Sequence, residues 1–145
     1  MKISIGCDPA GYNLKLQLVA FLEGAGHSVT DVGCDSTAPA DYPVVARKVA
    51  DSVVAGDAER GILICGTGQG MAMAANKVRG ARAALCIDPL HAVMSREHND
   101  SNILCFGEWV FSYEQAVLIT RAWLFARFSG GDAHKSRISM MDQLV

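Results

Sequence analysis

Gly61-Ile62-Leu63-Ile64-Cys65-Gly66-Thr67-Gly68-Gln69-Gly70 sets a short apolar, β-branched run directly against three alternating glycines. A helical segment follows from Met71 to Lys77, so the stretch reads as strand, loop, helix. In such a unit the loop amides and the helix N-terminus create positive potential that favours an anion or a developing negative charge nearby. Cys65 stands where strand meets loop and is a candidate base or nucleophile. Taken alone, a strand-end cysteine is ordinarily a small core filler. The glycines that follow point to a ligand site instead, because they let a small molecule approach the backbone closely.

Four further runs of the same kind surround it: Ile3 to Cys7, Ser28 to Val32, Ala81 to Cys86 and Ile103 to Phe106. Each is short, weakly alternating and followed by helix-like sequence, the pattern of a parallel sheet covered on both faces. The spacing predicts a three-layer α/β/α sandwich around a five-stranded parallel, Rossmann-like sheet. Leu14, Leu18, Val19 and Leu22 repeat at helical spacing and stop at Gly24-Ala25-Gly26. Pro43 in a first turn and the stripe Val45, Val49, Val53 mark a second helix, and Leu90 to Glu97 a third. From Tyr113 to Phe128 the sequence is apolar on nearly every side. A helix of that kind in a small protein needs a second face to bury, which predicts a homodimer or larger. Gly130-Gly131 is expected to break this helix before a polar helical tail over about 132–145. The whole chain, 1–145, reads as one domain.

Composition narrows the function. Half of the 145 residues are apolar, yet no unbroken apolar stretch approaches the ~20 residues a membrane span needs, and the N-terminus has strand rather than signal-peptide chemistry. A cytoplasmic protein is expected. The formal net charge is only −2 with scattered Lys and Arg, which leaves no electrostatic footprint for nucleic acid or an acidic membrane and points to a small-molecule partner. Cys7, Cys34, Cys65, Cys86 and Cys105 are odd in number and form no Cys-x-x-Cys pair. They read as reduced thiols without a metal site, all but Cys65 serving as packing.

In open parallel sheets the ligand sits beyond the carboxyl ends of the strands. That rule gathers Asp8, Cys65 and Thr67, with Asp88 and Gly107, at one edge. His98-Asn99-Asp100 precedes the fifth strand and belongs to the other edge of the same subunit, so it joins Cys65 only through loop geometry or across a dimer interface. Asp8 suits either a helix cap or proton transfer and sugar-hydroxyl binding. His98 suits either a turn or a general acid at neutral pH. The spacing Gly66-x-Gly68-x-Gly70 is not the dinucleotide fingerprint and lacks the P-loop lysine.

Gly6-Cys7-Asp8, Asp41-Tyr42-Pro43, Ile64-Cys65-Gly66-Thr67-Gly68, Ala74-Ala75-Asn76-Lys77 and Ser95-Arg96-Glu97-His98-Asn99-Asp100 together resemble the type B ribose-5-phosphate isomerases, a family that includes the galactose-6-phosphate isomerase subunits. The resemblance implies interconversion of an aldose phosphate and a ketose phosphate, ribose 5-phosphate and ribulose 5-phosphate or a related pair, through a cis-enediol without metal or cofactor. It implies Cys65 as the proton-shuttling base, with Thr67 and the amides of Gly66, Gly68, Gln69 and Gly70 on the enediolate oxygen. His98 would open the sugar ring, with Asp8 and Asn99 assisting, in a site shared between two subunits. Three positions depart from the family pattern: Pro9 stands where histidine is common, Glu108-Trp109 where an arginine follows, and Gly130-Gly131-Asp132-Ala133-His134-Lys135-Ser136-Arg137 is one residue longer and lacks the first arginine. These cationic positions go with the substrate's phosphate. Either His134, Lys135 and Arg137 rebuild that grip in a shifted register, or the sugar differs or is unphosphorylated; a third reading is a non-catalytic sugar-binding or partner subunit.

Overall fold

The computed structural model describes residues 1–145. Five strands, β1 (Lys2–Cys7), β2 (Ser28–Asp31), β3 (Arg60–Cys65), β4 (Ala83–Leu85) and β5 (Ile103–Gly107), alternate with helices α1 (Tyr12–Gly24), α2 (Tyr42–Val54), α3 (Gln69–Ala75) and α4 (Pro89–Asn99). Helices α5 (Tyr113–Phe125) and α6 (Asp132–Met141) close the chain. All strand pairs are parallel, in the order β2-β1-β3-β5-β4, which makes the expected three-layer sandwich.

The alternation of side chains along each central strand divides the interior in two. Ile62 and Ile64 of β3 join Ile3, Ile5, Leu104 and Phe106 in a core closed by Leu14 and Leu18 of α1, Ala92 of α4 and Ile119 and Trp123 of α5. Leu63 and Cys65 point the other way, into a core shared with Val45 and Val49 of α2, Met71 and Ala75 of α3, and Ile103 and Cys105. Strands buried on both faces explain why the runs read as continuously apolar rather than alternating.

Most boundaries shift by a residue or two, as α3 does, starting at Gln69 rather than Met71 and ending at Ala75 rather than Lys77, and two shifts have a clear physical cause. The run Ala81 to Cys86 contributes only β4, because it is an edge strand whose free side is capped by a side chain: Asn76 accepts from the Ala83 amide at 2.8 Å and donates to its carbonyl at 2.9 Å. The last apolar helix stops at Phe125 rather than Phe128, before Gly130-Gly131 is reached. Ala126 turns to extended backbone (φ −68°, ψ 146°), and the chain crosses to α4, where Ser129 N donates to the Glu97 carbonyl at 3.0 Å. No helix is long and apolar enough to cross a membrane.

Candidate active site

From β1 the chain's neighbours lie on opposite sides, β2 on one and β3 on the other. The crevice this creates opens beyond the carboxyl ends of β1 and β3, where Asp8 follows β1 and Cys65 ends β3. Cys65 is 7 % exposed, and its Sγ accepts a hydrogen bond from the Gly68 amide at 3.0 Å. Gly68 makes that bond from the left-handed region, φ 84°. A Cβ there would lie 2.7 Å from Leu85 and 2.8 Å from the Phe106 backbone, so glycine is required by both conformation and space. The loop thereby gives the sulfur a fixed donor, the arrangement that a base carrying negative charge needs.

The loops after β3 and β5 are tied together. Glu108 N donates to the Cys65 carbonyl and Trp109 N to the Gly66 carbonyl, each at 3.0 Å. The Trp109 ring lies over Gly66, where an added Cβ would come within 2.6 Å of it, yet the residue is 76 % exposed. Thr67 is exposed beside it, its Oγ1 accepting from the Gln69 amide at 3.5 Å. Gly70 faces the Tyr42 ring at 2.9 Å from a Cβ position.

Asp8 receives the expected capping role: its Oδ1 accepts from Ala10 N at 3.0 Å, with Pro9 as the first residue of a short 3-10 turn. Burial pushes its carboxyl above the usual range, against the pull of the Ala10 and Gly11 amides, and the Glu108 charge adds to the rise. Glu108 itself caps α1, accepting from Leu14 N at 2.9 Å and Asn13 Nδ2 at 3.4 Å. Asp8, Cys65, Thr67 and Glu108 thus share one edge.

His98 and Asn99 do not. They end α4, which feeds the start of β5, where Ile103 pairs with Gly61; Cys65 pairs with Gly107 at the far end. Four strand residues, about 13 Å, separate the two edges. His98 is exposed and stacks on His134 of α6, ring centroids 4.6 Å apart at 7°. Arg137 lies three residues further along α6, on the same helix face and exposed. The C-terminus of α4 is rigidly held by Asp100, the one non-glycine residue with positive φ (46°). Its carboxylate accepts from Arg96 Nη1 at 2.7 Å and Arg82 Nη2 at 3.1 Å, and Arg96 Nη1 also donates to the Ser101 carbonyl at 2.5 Å.

Glu108 and this arginine clamp were not singled out as site-supporting residues from sequence. Glu108 bonds to residues more than ninety positions away, for which no local pattern exists. The Arg96–Asp100 pair, spaced i, i+4 on a helix, is the one part a charge-pattern reading reaches.

A parallel α/β/α sheet with a thiol and a glycine-built amide loop at its carboxyl edge has the place and the form in which such sheets take small-molecule ligands. The family model described as Ribose/Galactose Isomerase matches residues 3–141. Ribose-5-phosphate isomerase B of Escherichia coli (strain K12) is 47 % identical over 137 residues, 94 % of this chain and 91 % of that protein. D-erythrulose-4-phosphate isomerase of Pectobacterium atrosepticum is 42 % identical over 132 residues, 90 % and 87 % of the two chains. Among solved structures, Clostridium thermocellum ribose-5-phosphate isomerase B superposes with a TM-score of 0.97 at 47 % identity, covering 99 % of this chain and 97 % of its own. The chain belongs to the ribose/galactose isomerase family and is an aldose–ketose isomerase.

Proposed function

We propose that this protein interconverts ribose 5-phosphate and ribulose 5-phosphate through a cis-enediol, with Cys65 as the base. The observation that carries the reading is the Gly68 amide on the Cys65 sulfur at 3.0 Å. A thiolate so placed takes the proton from the carbon next to the carbonyl and returns it to the neighbouring carbon. Thr67 and the loop amides of Gly66, Gly68, Gln69 and Gly70 then meet the negative charge that develops on the enediolate oxygen, where preorganised donors are most effective. Asp8, whose carboxyl holds its proton more tightly than usual, suits proton exchange with a sugar hydroxyl.

Ring opening and phosphate binding fall to groups on the far edge. His98 and Asn99, with His134 and Arg137 on the face of α6 beside them, complete the site when a second copy brings its far edge over the first copy's Cys65 loop. A homodimer, itself able to pair into a tetramer, is therefore part of the proposed machinery. Lys15 is already engaged by Asp31 at 2.7 Å and the Cys34 carbonyl at 2.6 Å, and the tail on α6 is where the family resemblance puts the phosphate.

Trp109 favours a second reading, in which the substrate is a different or unphosphorylated sugar. An indole 76 % exposed beside the catalytic loop offers an apolar platform to a sugar face and no donor fork to an anion. Isomerisation of ribose 5-phosphate, a tetrose phosphate, allose 6-phosphate and free ribose, each with wild type and Cys65→Ala, separates the readings. Cys65-dependent turnover strongest on ribose 5-phosphate is expected. Turnover confined to another sugar establishes the second reading, and silence across the panel leaves a binding or partner subunit.

A further inference from the structure

Behind Asp8 lies a pair of thiols that the proton-transfer chemistry does not use. Cys7 ends β1, and Cys34 lies in the loop after β2; their sulfurs are 3.4 Å apart, and both are free thiols. The two backbones are also joined, Cys34 N donating to the Cys7 carbonyl at 3.1 Å. Gly33 permits this approach, since a Cβ there would stand 2.5 Å from Cys7 N. Two cysteines on directly bonded neighbouring backbones, with sulfurs already in contact, need only a small shift of side chains and adjoining backbone to reach bonding distance, about 2.05 Å.

The surroundings separate the two sulfurs chemically. Cys7 is fully buried, whereas Cys34 is half-buried and within reach of solvent. Burial and the neighbouring Cys34 hold the Cys7 thiol far above its ordinary range, while the Lys15 ammonium pulls the other way. Lys15, 2 % exposed, is fixed beside the pair by its bonds to Asp31 and to the Cys34 carbonyl. Cys34 is thus the thiol that meets an oxidant and Cys7 the one that resolves it.

We propose that Cys7 and Cys34 form an oxidisable dithiol, closed by a hydroperoxide and reopened by a dithiol reductant, whose closure slows the enzyme through Asp8. In the first step the Cys34 sulfur attacks a peroxide oxygen, the O–O bond breaks, and one water leaves with a sulfenic acid formed. In the second the Cys7 sulfur attacks that sulfenic sulfur, the S–O bond breaks, and a second water leaves. The two thiols lose two electrons and two hydrogens in total, and one hydrogen peroxide becomes two waters. Drawing Cys7 toward Cys34 strains the peptide that places Asp8, the next residue, at the edge of the crevice.

The effect on turnover rests on the isomerase reading above; the bond itself does not. The test treats the reduced full-length protein with hydrogen peroxide, maps tryptic peptides and follows isomerisation before and after dithiothreitol. Expected are a linkage between peptides Ile3–Lys15 and Leu16–Arg47, a loss of the mass of two hydrogens, and a fall in kcat/KM of about ten-fold or more, the scale on which small misplacements act, that dithiothreitol reverses. Mapping in Cys65→Ala excludes a bond made by the loop thiol. Cys34→Ser, with Cys34→Ala as the alternative if the first folds poorly, keeps its basal activity and loses both the linkage and the reversible inhibition. Absence of the linked peptide at peroxide doses that oxidise the exposed Met73 overturns the proposal, as does a linked protein with undiminished turnover. A wild type that turns over no sugar yet forms the bond counts against the isomerase reading and against the claimed effect on rate, but not against the dithiol.

Discussion

Cys65 and Gly68 form the smallest unit of the proposed chemistry, a sulfur and the one amide aimed at it. Cys65→Ala should lower kcat by about 10²–10⁴-fold, the range general-base groups supply, with the unfolding midpoint little changed, since the replacement keeps a small apolar side chain in the same core. Gly68→Ala should fail differently: it forces a Cβ against Leu85 and the Phe106 backbone at positive φ, and a loss of about 2–4 kcal/mol of stability, in the range of severe backbone strain and overpacking, is expected in urea unfolding. Asp8 offers a pH test. Its folded-state pKa is raised above that of an ordinary aspartate, so the stability it contributes is complete below the unfolded value and is lost as pH rises through the folded one. Asp8→Asn caps equally well and removes that dependence, so the wild type should lose stability relative to the variant as pH rises through the weakly acidic range. Parallel stability curves for the two proteins would contradict the raised carboxyl. Cys65 and Asp8 were both legible in sequence, the first from the glycines behind it and the second from the strand-end rule. Glu108, which helps raise Asp8, was not, because its partners are set by tertiary folding alone.

Helices and strands were legible wherever a local signal and the tertiary environment agreed. Pro43 falls in the first turn of α2, and the Val45, Val49, Val53 stripe is buried as its spacing requires. The expectation failed where a distant contact decided the boundary: the Asn76 amide that caps β4 lies across a turn, and α5 ends early because its next residues bond to α4. The α1–β2 joint supplies an element-scale prediction. Lys15 is almost wholly buried and depends on Asp31, at 2.7 Å, for its counter-charge. Asp31 is itself 36 % exposed and the Cys34 carbonyl still accepts from Lys15, so Asp31→Asn should destabilise the protein by about 1–2 kcal/mol, less than removing one partner of a fully buried pair does. Lys15→Met with Asp31→Asn should recover much of the loss, because an apolar replacement of the whole pair is often neutral. A single variant as stable as wild type would show that the pair is solvated.

At the scale of the whole molecule the proposed site is divided, with Cys65 at one sheet edge and His98 at the other. Sequence order alone places them so, and the sheet's register makes the separation quantitative. The apolar helix that suggested self-association keeps Leu118 57 % and Phe125 90 % exposed, surface that a second copy would cover. If sites are shared between copies, mixing inactive Cys65→Ala with inactive His98→Ala should restore activity. A heterodimer then holds one site with both groups intact, and random reassociation in two-fold pairs gives about a quarter of wild-type turnover. No recovery after verified subunit exchange would mean that each copy works alone. The most direct measurement for the central claim, Cys65 as the carbon base, is turnover of ribose 5-phosphate in D2O followed by NMR. Wild type should exchange deuterium into the carbon-bound position that the enediol passes through, and Cys65→Ala should show neither exchange nor isomerisation. Exchange and turnover in Cys65→Ala at near wild-type rates would contradict the account and assign the proton to another group.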